Sequence, residues 1–273
     1  MLSSFTVKEN GKLTKLALIY LPELTYGVLR GAMRKKDVKV NGVRVEKDVV
    51  LSVGDKVDVY YPTSDKRLYE VVYSDDNVIV VNKPKHISSE ALYELVKKDF
   101  ALAKFIHRLD TNTSGLMIFA NNEEAENQLI KGFKSRAFTK IYRARVKGVF
   151  EKKKDTLTAY LFKDSKSALV SVSDVKVKGS VIIKTGYEVI DECGEYSDIS
   201  VILYTGRTHQ IRAHLSHIGH PVLGDGKYGD FALNNKLKLK SQLLSAVSLT
   251  LAFDSDSILY YLNGKTFTVQ AGF

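Results

Sequence analysis

Beyond residue 68 the chain is one short apolar or alternating run after another, and no other feature constrains its fold as much. LYEVVYSDDNVIVVNKP reads as two strands around an SDDN turn, and GLMIFA as a buried strand. KIYRARVKG alternates, with Tyr142, Ala144 and Val146 on one side and Arg143 and Arg145 on the other. TLTAYLF, ALVSVS, VIIKTGYEVI and DISVILYTG continue the series. Three predicted helices interrupt it. SSEALYELVKKDF has Ser88 or Ser89 as its cap, and NNEEAENQLIKGFKSR opens on Asn and acidic residues and closes on basic ones. The third runs from about Thr208 to Ile218 and is stopped by Gly219 and Pro221. The pattern predicts an α+β domain over residues 69–273, mainly antiparallel with some mixed pairing.

Residues 12–61 follow a different pattern. In KLTKLALIY, Leu13, Leu16, Ala17 and Tyr20 share one helical face, and Pro22 ends the helix. TYGVLRGAMRKK predicts a second helix with basic residues at its carboxyl end, where they favour the dipole. KVNGVRV sets two β-branched runs around Asn41-Gly42, a hairpin signal, and the Gly54-Asp55 turn leads into the alternating strand KVDVYY. This order of helix, helix, basic turn, VNG hairpin and GD-turn strand resembles an S4 RNA-binding domain. The resemblance implies that Arg30, Arg34, Lys35, Lys36 and Lys39 present a basic face to RNA. PTSDKR is polar and Pro-led, so residues 62–68 are expected to link this small α/β unit, residues 1–61, to the larger domain.

The charge balance agrees with a polyanionic partner: 41 Lys+Arg against 31 Asp+Glu leave a formal charge of +10. A membrane is not the expected partner. The chain has no apolar run of about 18 or more residues, and MLSSFTVKEN lacks the order of a signal peptide. The single cysteine, Cys193, excludes an intramolecular disulfide and a Cys-based zinc site. The expected compartment is the cytoplasm.

Chemistry concentrates in two segments. HRLDTNTSGLMIFA carries His107, Arg108 and Asp110 in a polar loop that feeds an apolar strand, the kind of rigidly held loop where reacting groups sit. On its own, Asp110 reads as a turn cap. TGRTHQIRAHLSHIGHPVLGDGKYGD places Arg207, His209, Arg212, His214, His217 and His220 close together. It lacks the HExxH pattern of a zinc site and has no carboxylate before Asp225. On a helix beginning near Thr208, Ile211, Leu215 and Ile218 form a buried stripe, and His209, Arg212 and Ser216 fall on a neighbouring face. No GxGxxG, P-loop or zinc spacing appears, so neither a cofactor nor a metal is expected.

Taken together, the ordered segments YSDDNVIVVNKP, HRLDTNTSGL, KIYRARVKG, GRTHQIRAHLSHIGHPVLGDGKYG and QLLSAVSLTLAF resemble the RluA-type family of pseudouridine synthases. One departure is KHISSE after NKP, in a loop that flanks the active site in that family. The resemblance implies that Asp110 is the nucleophile, that Tyr142 lines the uracil pocket and that Arg212 pairs with Asp110. It further implies that Arg108 binds RNA, with Arg207, His209 and His107 at the same surface, His107 mainly buttressing the loop. Substrate and product are isomers, so no cofactor is implied. The implied partner is RNA: ribosomal, of the large subunit, with tRNA as the second choice, bound by a monomeric enzyme. Two other readings compete: a non-catalytic RNA-binding protein, and a glycoside-cleaving hydrolase using Asp110 with a second acid such as Asp225.

Overall fold

In the computed structural model, residues 2–24, 26–61, 68–163 and 169–273 are described. The expected linker lies outside them except for Leu68.

Residues 2–61 contain β1 (Leu2–Thr6), β2 (Gly11–Lys12), α1 (Leu13–Tyr20), α2 (Tyr26–Arg34), β3 (Val38–Val40), β4 (Val43–Arg44), β5 (Val50–Leu51) and β6 (Lys56–Tyr60). An antiparallel sheet in the order β1-β6-β3-β4 packs beneath the two helices, and β2 pairs with β5. Leu13, Leu16 and Ala17 of α1 meet Leu29 and Met33 of α2 in a core that belongs to these residues alone. Asn41 and Gly42 both have positive φ, 51° and 81°, as a two-residue hairpin turn requires. The Asn41 side chain also receives Lys56 N–H and donates to Asp55, each at 2.8 Å, which ties the hairpin to the Gly54-Asp55 turn. Strand β1, which the sequence reading leaves out, closes the sheet's open edge along β6.

The remainder contains β7 (Glu70–Ser74), β8 (Val78–Lys83), α3 (Ser89–Asp99), β9 (Lys104–Phe105), β10 (Ser114–Ala120), α4 (Glu123–Ser135) and β11 (Thr139–Lys147). It continues with β12 (Lys154–Lys163), β13 (Val170–Ser173), β14 (Val181–Cys193), β15 (Tyr196–Leu203), α5 (Gln210–His217), α6 (Phe231–Lys236), β16 (Leu244–Thr250) and β17 (Thr266–Thr268). One long sheet runs β13-β12-β14-β15-β11-β16-β10-β8-β7, with β9 beside β10 and β17 beside β16. Its pairs are antiparallel except β10–β16, which makes the sheet mixed. Strands β8 and β10 are covered on both faces, which is why VIVVNK and GLMIFA read as continuous apolar runs. Ile79, Val81, Met117 and Phe119 pack with α3, while Val78, Val80, Leu116 and Ile118 pack with α4 on the opposite side. Ser88 caps α3 by accepting from Ala91 N–H, and Asn122 caps α4 by accepting from Ala125 N–H. Among the described residues no helix is long and apolar enough to cross a membrane.

Candidate active site

Asp110 lies in the loop between β9 and β10, and its carboxylate turns away from that loop. The turn is closed by backbone instead, Thr113 N–H donating to the Asp110 carbonyl at 3.0 Å. Asp110 Oδ2 accepts from Arg212 Nη1 at 2.7 Å. Arg212, in α5 and only 6% exposed, donates through Nε and Nη2 to the two oxygens of Asp225 at 2.7 and 2.8 Å. Asp225 is fully buried and also accepts the N–H groups of Lys227 and Tyr228 at 2.8 and 3.2 Å. The guanidinium is thus gripped along one edge and offers a single nitrogen to Asp110. Burial opposes charge on Arg212, but Asp225 and then Asp110 outweigh it and hold its pKa above the ordinary value. Burial likewise opposes the Asp225 carboxylate, which Arg212 and the two N–H donors hold below its ordinary pKa. A hydrolytic pair of Asp110 and Asp225 has no support here, because both Asp225 oxygens are spent on Arg212.

Strand β16 brings Tyr142 to the same place. On one side Ser245 and Ala246 pair in parallel with Ser114 and Gly115, which follow the Asp110 loop. On the other side Ala246 pairs with Tyr142 of β11, across a register shift between Ile141 and Tyr142. Gly115 has φ +112°, and a Cβ there would collide with the backbone of Ala246. Tyr142 is buried, and that burial, reinforced by Asp110, pushes its hydroxyl far above the ordinary pKa, so the phenol is neutral.

His209 is not on the helical face the spacing predicts. The helix begins at Gln210, because the Gln210 Oε1 accepts from Arg207 N–H at 3.1 Å and from Thr205 Oγ1 at 2.8 Å, folding the preceding segment over the helix start. His209 adopts a left-handed conformation, φ 56°, that places Nε2 4.0 Å from Asp110 Oδ1 and Nδ1 2.9 Å from Tyr228 Oη. Burial lowers its pKa, with Arg212 and Lys227 acting in the same sense against Asp110.

His107 supports the loop and is not free to contact RNA through both nitrogens. Its Nε2 accepts Ile118 N–H at 3.1 Å and its ring stacks on Phe133 with centroids 4.4 Å apart. Burial, helped by Lys140, lowers its pKa to about 3, so the ring is neutral with the proton on Nδ1. Arg108 is exposed, with Nη1 3.2 Å from Glu90. His214, His217 and His220 bond separately to Thr185, Asp174 and the Lys147 carbonyl. Among the described residues no three His, Cys, Asp or Glu side chains are grouped to hold a metal.

Two groups escape the sequence reading. Lys83 is fully buried and its Nζ donates to the carbonyls of Pro84, Ile87 and Thr111 at 2.9, 2.8 and 3.0 Å. It thereby fastens the divergent KHISSE segment to the residue after Asp110. Burial pushes its pKa down to about 7, opposed by Asp110 and Glu90. Three carbonyls nevertheless take the three N–H groups that only the ammonium possesses, so the geometry is that of the charged form. Gln242 is the second, its Nε2 donating to Thr113 Oγ1 at 2.6 Å from the segment before β16. A lysine inside an apolar strand is the signal that could have found Lys83; no local signal marks Gln242.

Asp110, Tyr142 and Arg212 share the wall of one cavity of about 530 Å³ with Arg108, His107, Arg207 and His209. That is an ordinary volume for a ligand cleft. Arg30, Arg34, Lys35, Lys36 and Lys39 do not line it. The first three are exposed, Lys36 pairs with Glu46 at 3.1 Å, and Lys39 Nζ sits 5.7 Å above the Tyr60 ring.

Comparison with known proteins gives a consistent result. A family model described as RNA pseudouridylate synthase matches residues 77–217. A ribosomal large subunit pseudouridine synthase D of Haemophilus influenzae is 30% identical over 267 residues, 85% of this chain and 80% of that protein. A ribosomal large subunit pseudouridine synthase C of Vibrio cholerae is 27% identical, covering 77% of this chain and 74% of its own length. Among solved structures, human RNA pseudouridylate synthase domain containing 1 superposes with a TM-score of 0.64 at 26% identity, over 73% of this chain and 84% of that one.

Proposed function

We propose, because this chain belongs to the RNA pseudouridylate synthase family, that it isomerises uridine in ribosomal RNA of the large subunit with Asp110 as nucleophile. The activity itself follows from the family: the chain is an RNA pseudouridine synthase, an isomerase. The choice of ribosomal RNA draws on relatives named for the large subunit.

One observation carries the assignment of Asp110. Its carboxylate faces the cavity while Arg212, locked by Asp225, supplies its counter-charge. Isomerisation breaks the N1–C1′ bond, turns the uracil and rejoins it through C5, with the C5 proton lost. An aspartate beside the sugar serves each route open to such a reaction, whether attack at C1′, addition at C6 or removal of the C2′ proton. Tyr142, neutral and fixed on the cavity wall, stacks on the base and can exchange a proton at carbon. A stacked uridine cannot reach Asp110, so the nucleotide is extruded at a cost of a few kcal/mol; Arg108, exposed beside Asp110, fills the vacated space or holds a phosphate. Residues 1–61 act as an S4-like unit that adds affinity, and residues 69–273 carry the chemistry.

The test is a pseudouridine map of all RNAs in the source cell with and without the gene. Loss of a site in large-subunit RNA is expected. Loss confined to tRNA would overturn the choice of substrate, and no lost site would overturn the activity.

A further inference from the structure

The cavity holds more positive charge than the proposed chemistry uses. Among the described lining residues Asp110 is the one carboxylate, and Arg212 already pairs with it. Arg108 pairs with Glu90. That leaves Lys134 and Arg136 at the end of α4, Lys140 on β11 and Arg207 after β15, none with a carboxylate partner among the described residues. Lys140 is partly buried, which lowers its pKa, and its Nζ lies beside Gly206 and 5.4 Å from the Phe133 ring. A cation sunk in a cavity wall without an anion is a site that waits for one.

The backbone of Arg136 carries a second, independent sign. It closes α4 in the left-handed conformation, φ 62°, a position that suits glycine, and it is an exposed residue of the cavity lining. A long side chain kept in such a conformation is strain held at a functional surface.

From this geometry we infer that Lys140 and Arg136, with Lys134, form a seat for the RNA phosphodiester next to the extruded uridine, in the cavity wall that Arg207 also lines. The inference rests on the synthase reading and deepens it. It assigns the anion to the strand that enters the site, apart from the basic face of residues 30–39. Tyr204 is partly exposed on the same lining, its ring packed beside Gly186 with the Lys184 ammonium 5.1 Å from its centroid.

The experiment measures binding of a short fluorescein-labelled oligouridylate against salt, for the full chain and for Arg136→Gly, Lys140→Gln and Lys140→Arg. Arg136→Gly suits its backbone and should fold at least as well as the parent, so a loss in that variant reads the side chain. The expected result is a salt slope shallower by about 0.7 in Arg136→Gly and in Lys140→Gln, with roughly tenfold weaker binding at low salt. Lys140→Arg should keep the parental slope. A methylphosphonate oligouridylate, uncharged along its backbone, should erase the difference between parent and variants. Unchanged slopes, or a difference that persists on the neutral probe, would overturn the seat. Tritium release from a large-subunit transcript carrying C5-tritiated uridine separates the two readings. Parental turnover with unaltered slopes defeats the seat alone. Altered slopes with no parental turnover on that transcript leave the seat standing and defeat the choice of large-subunit RNA as substrate.

Discussion

Asp110 and Arg212 meet at 2.7 Å across 102 residues of sequence, and Arg212 arrives with its other two nitrogens already bound by Asp225. The pair is therefore part of a three-member unit in which one guanidinium answers two carboxylates. The unit's geometry depends on the planar fork of arginine, which a lysine cannot reproduce.

Asp110→Asn should abolish isomerisation while folding and RNA affinity stay near the parental level. The amide keeps the shape and can still accept from Arg212, but it is no nucleophile. Tritium release from C5-labelled uridine RNA reports turnover, and activity within about tenfold of the parent would remove Asp110 from that role.

Asp225→Asn should lower the single-turnover rate by roughly 10²-fold, the scale on which a misplaced reacting group is felt. RNA affinity should hardly change, since Asp225 is fully buried. Removing one partner of a buried ion pair also costs about 3–5 kcal/mol, which urea denaturation will show. A parental rate at saturating enzyme would mean that Arg212 needs no second carboxylate to hold its place.

Gly115→Ala should destabilise the chain by about 3 kcal/mol or more, through a strained φ and collision with Ala246. The check is the thermal midpoint. An unmoved midpoint would show that β10 and β16 can separate at no cost.

His107 contributes a pH dependence whose sign is fixed. Its pKa falls from 6.5 in the unfolded chain to about 3 in the folded one, so between those values the unfolded chain binds a proton that the folded chain refuses. Its contribution is complete above pH 6.5 and is lost as the pH falls toward 3. Urea midpoints at about pH 7 and pH 5 should differ less in His107→Gln than in the parent. Equal differences in the two proteins would exclude the histidine as a source of acid sensitivity.

Much of this was legible in advance because it is local. Capping by Ser88 and Asn122, the Asn41-Gly42 turn and the alternation of β11 depend on neighbours within a few residues. Motif resemblance supplied the joining of Asp110 to Arg212, which periodicity could not. What escaped is set by partners far along the chain. His209 leaves the helix because Gln210 bonds to Thr205 and to Arg207 N–H, and a side chain that folds back has no periodic signature. Asp225 looked like a candidate acid because its two bonds to Arg212 exist only in three dimensions. Lys83 stands out in the sequence as a lysine within an apolar strand, but the three carbonyls from two separate loops that make its burial tolerable exist only in the fold.

Strand β16 stands between β10 and β11, so it also sets the order in which the molecule can be completed. Ser114 meets Ser245, and Thr113 meets Gln242, across 131 and 129 residues. Until residues 242–250 have left the ribosome, β10 and β11 lack their shared neighbour, and Tyr142 has nothing to hold it beside the Asp110 loop. A nascent chain therefore carries every reacting side chain well before it can use any of them. Contacts so distant in sequence also form slowly, so catalytic competence should appear as a late step, after the helices and hairpins of residues 2–61 are already in place.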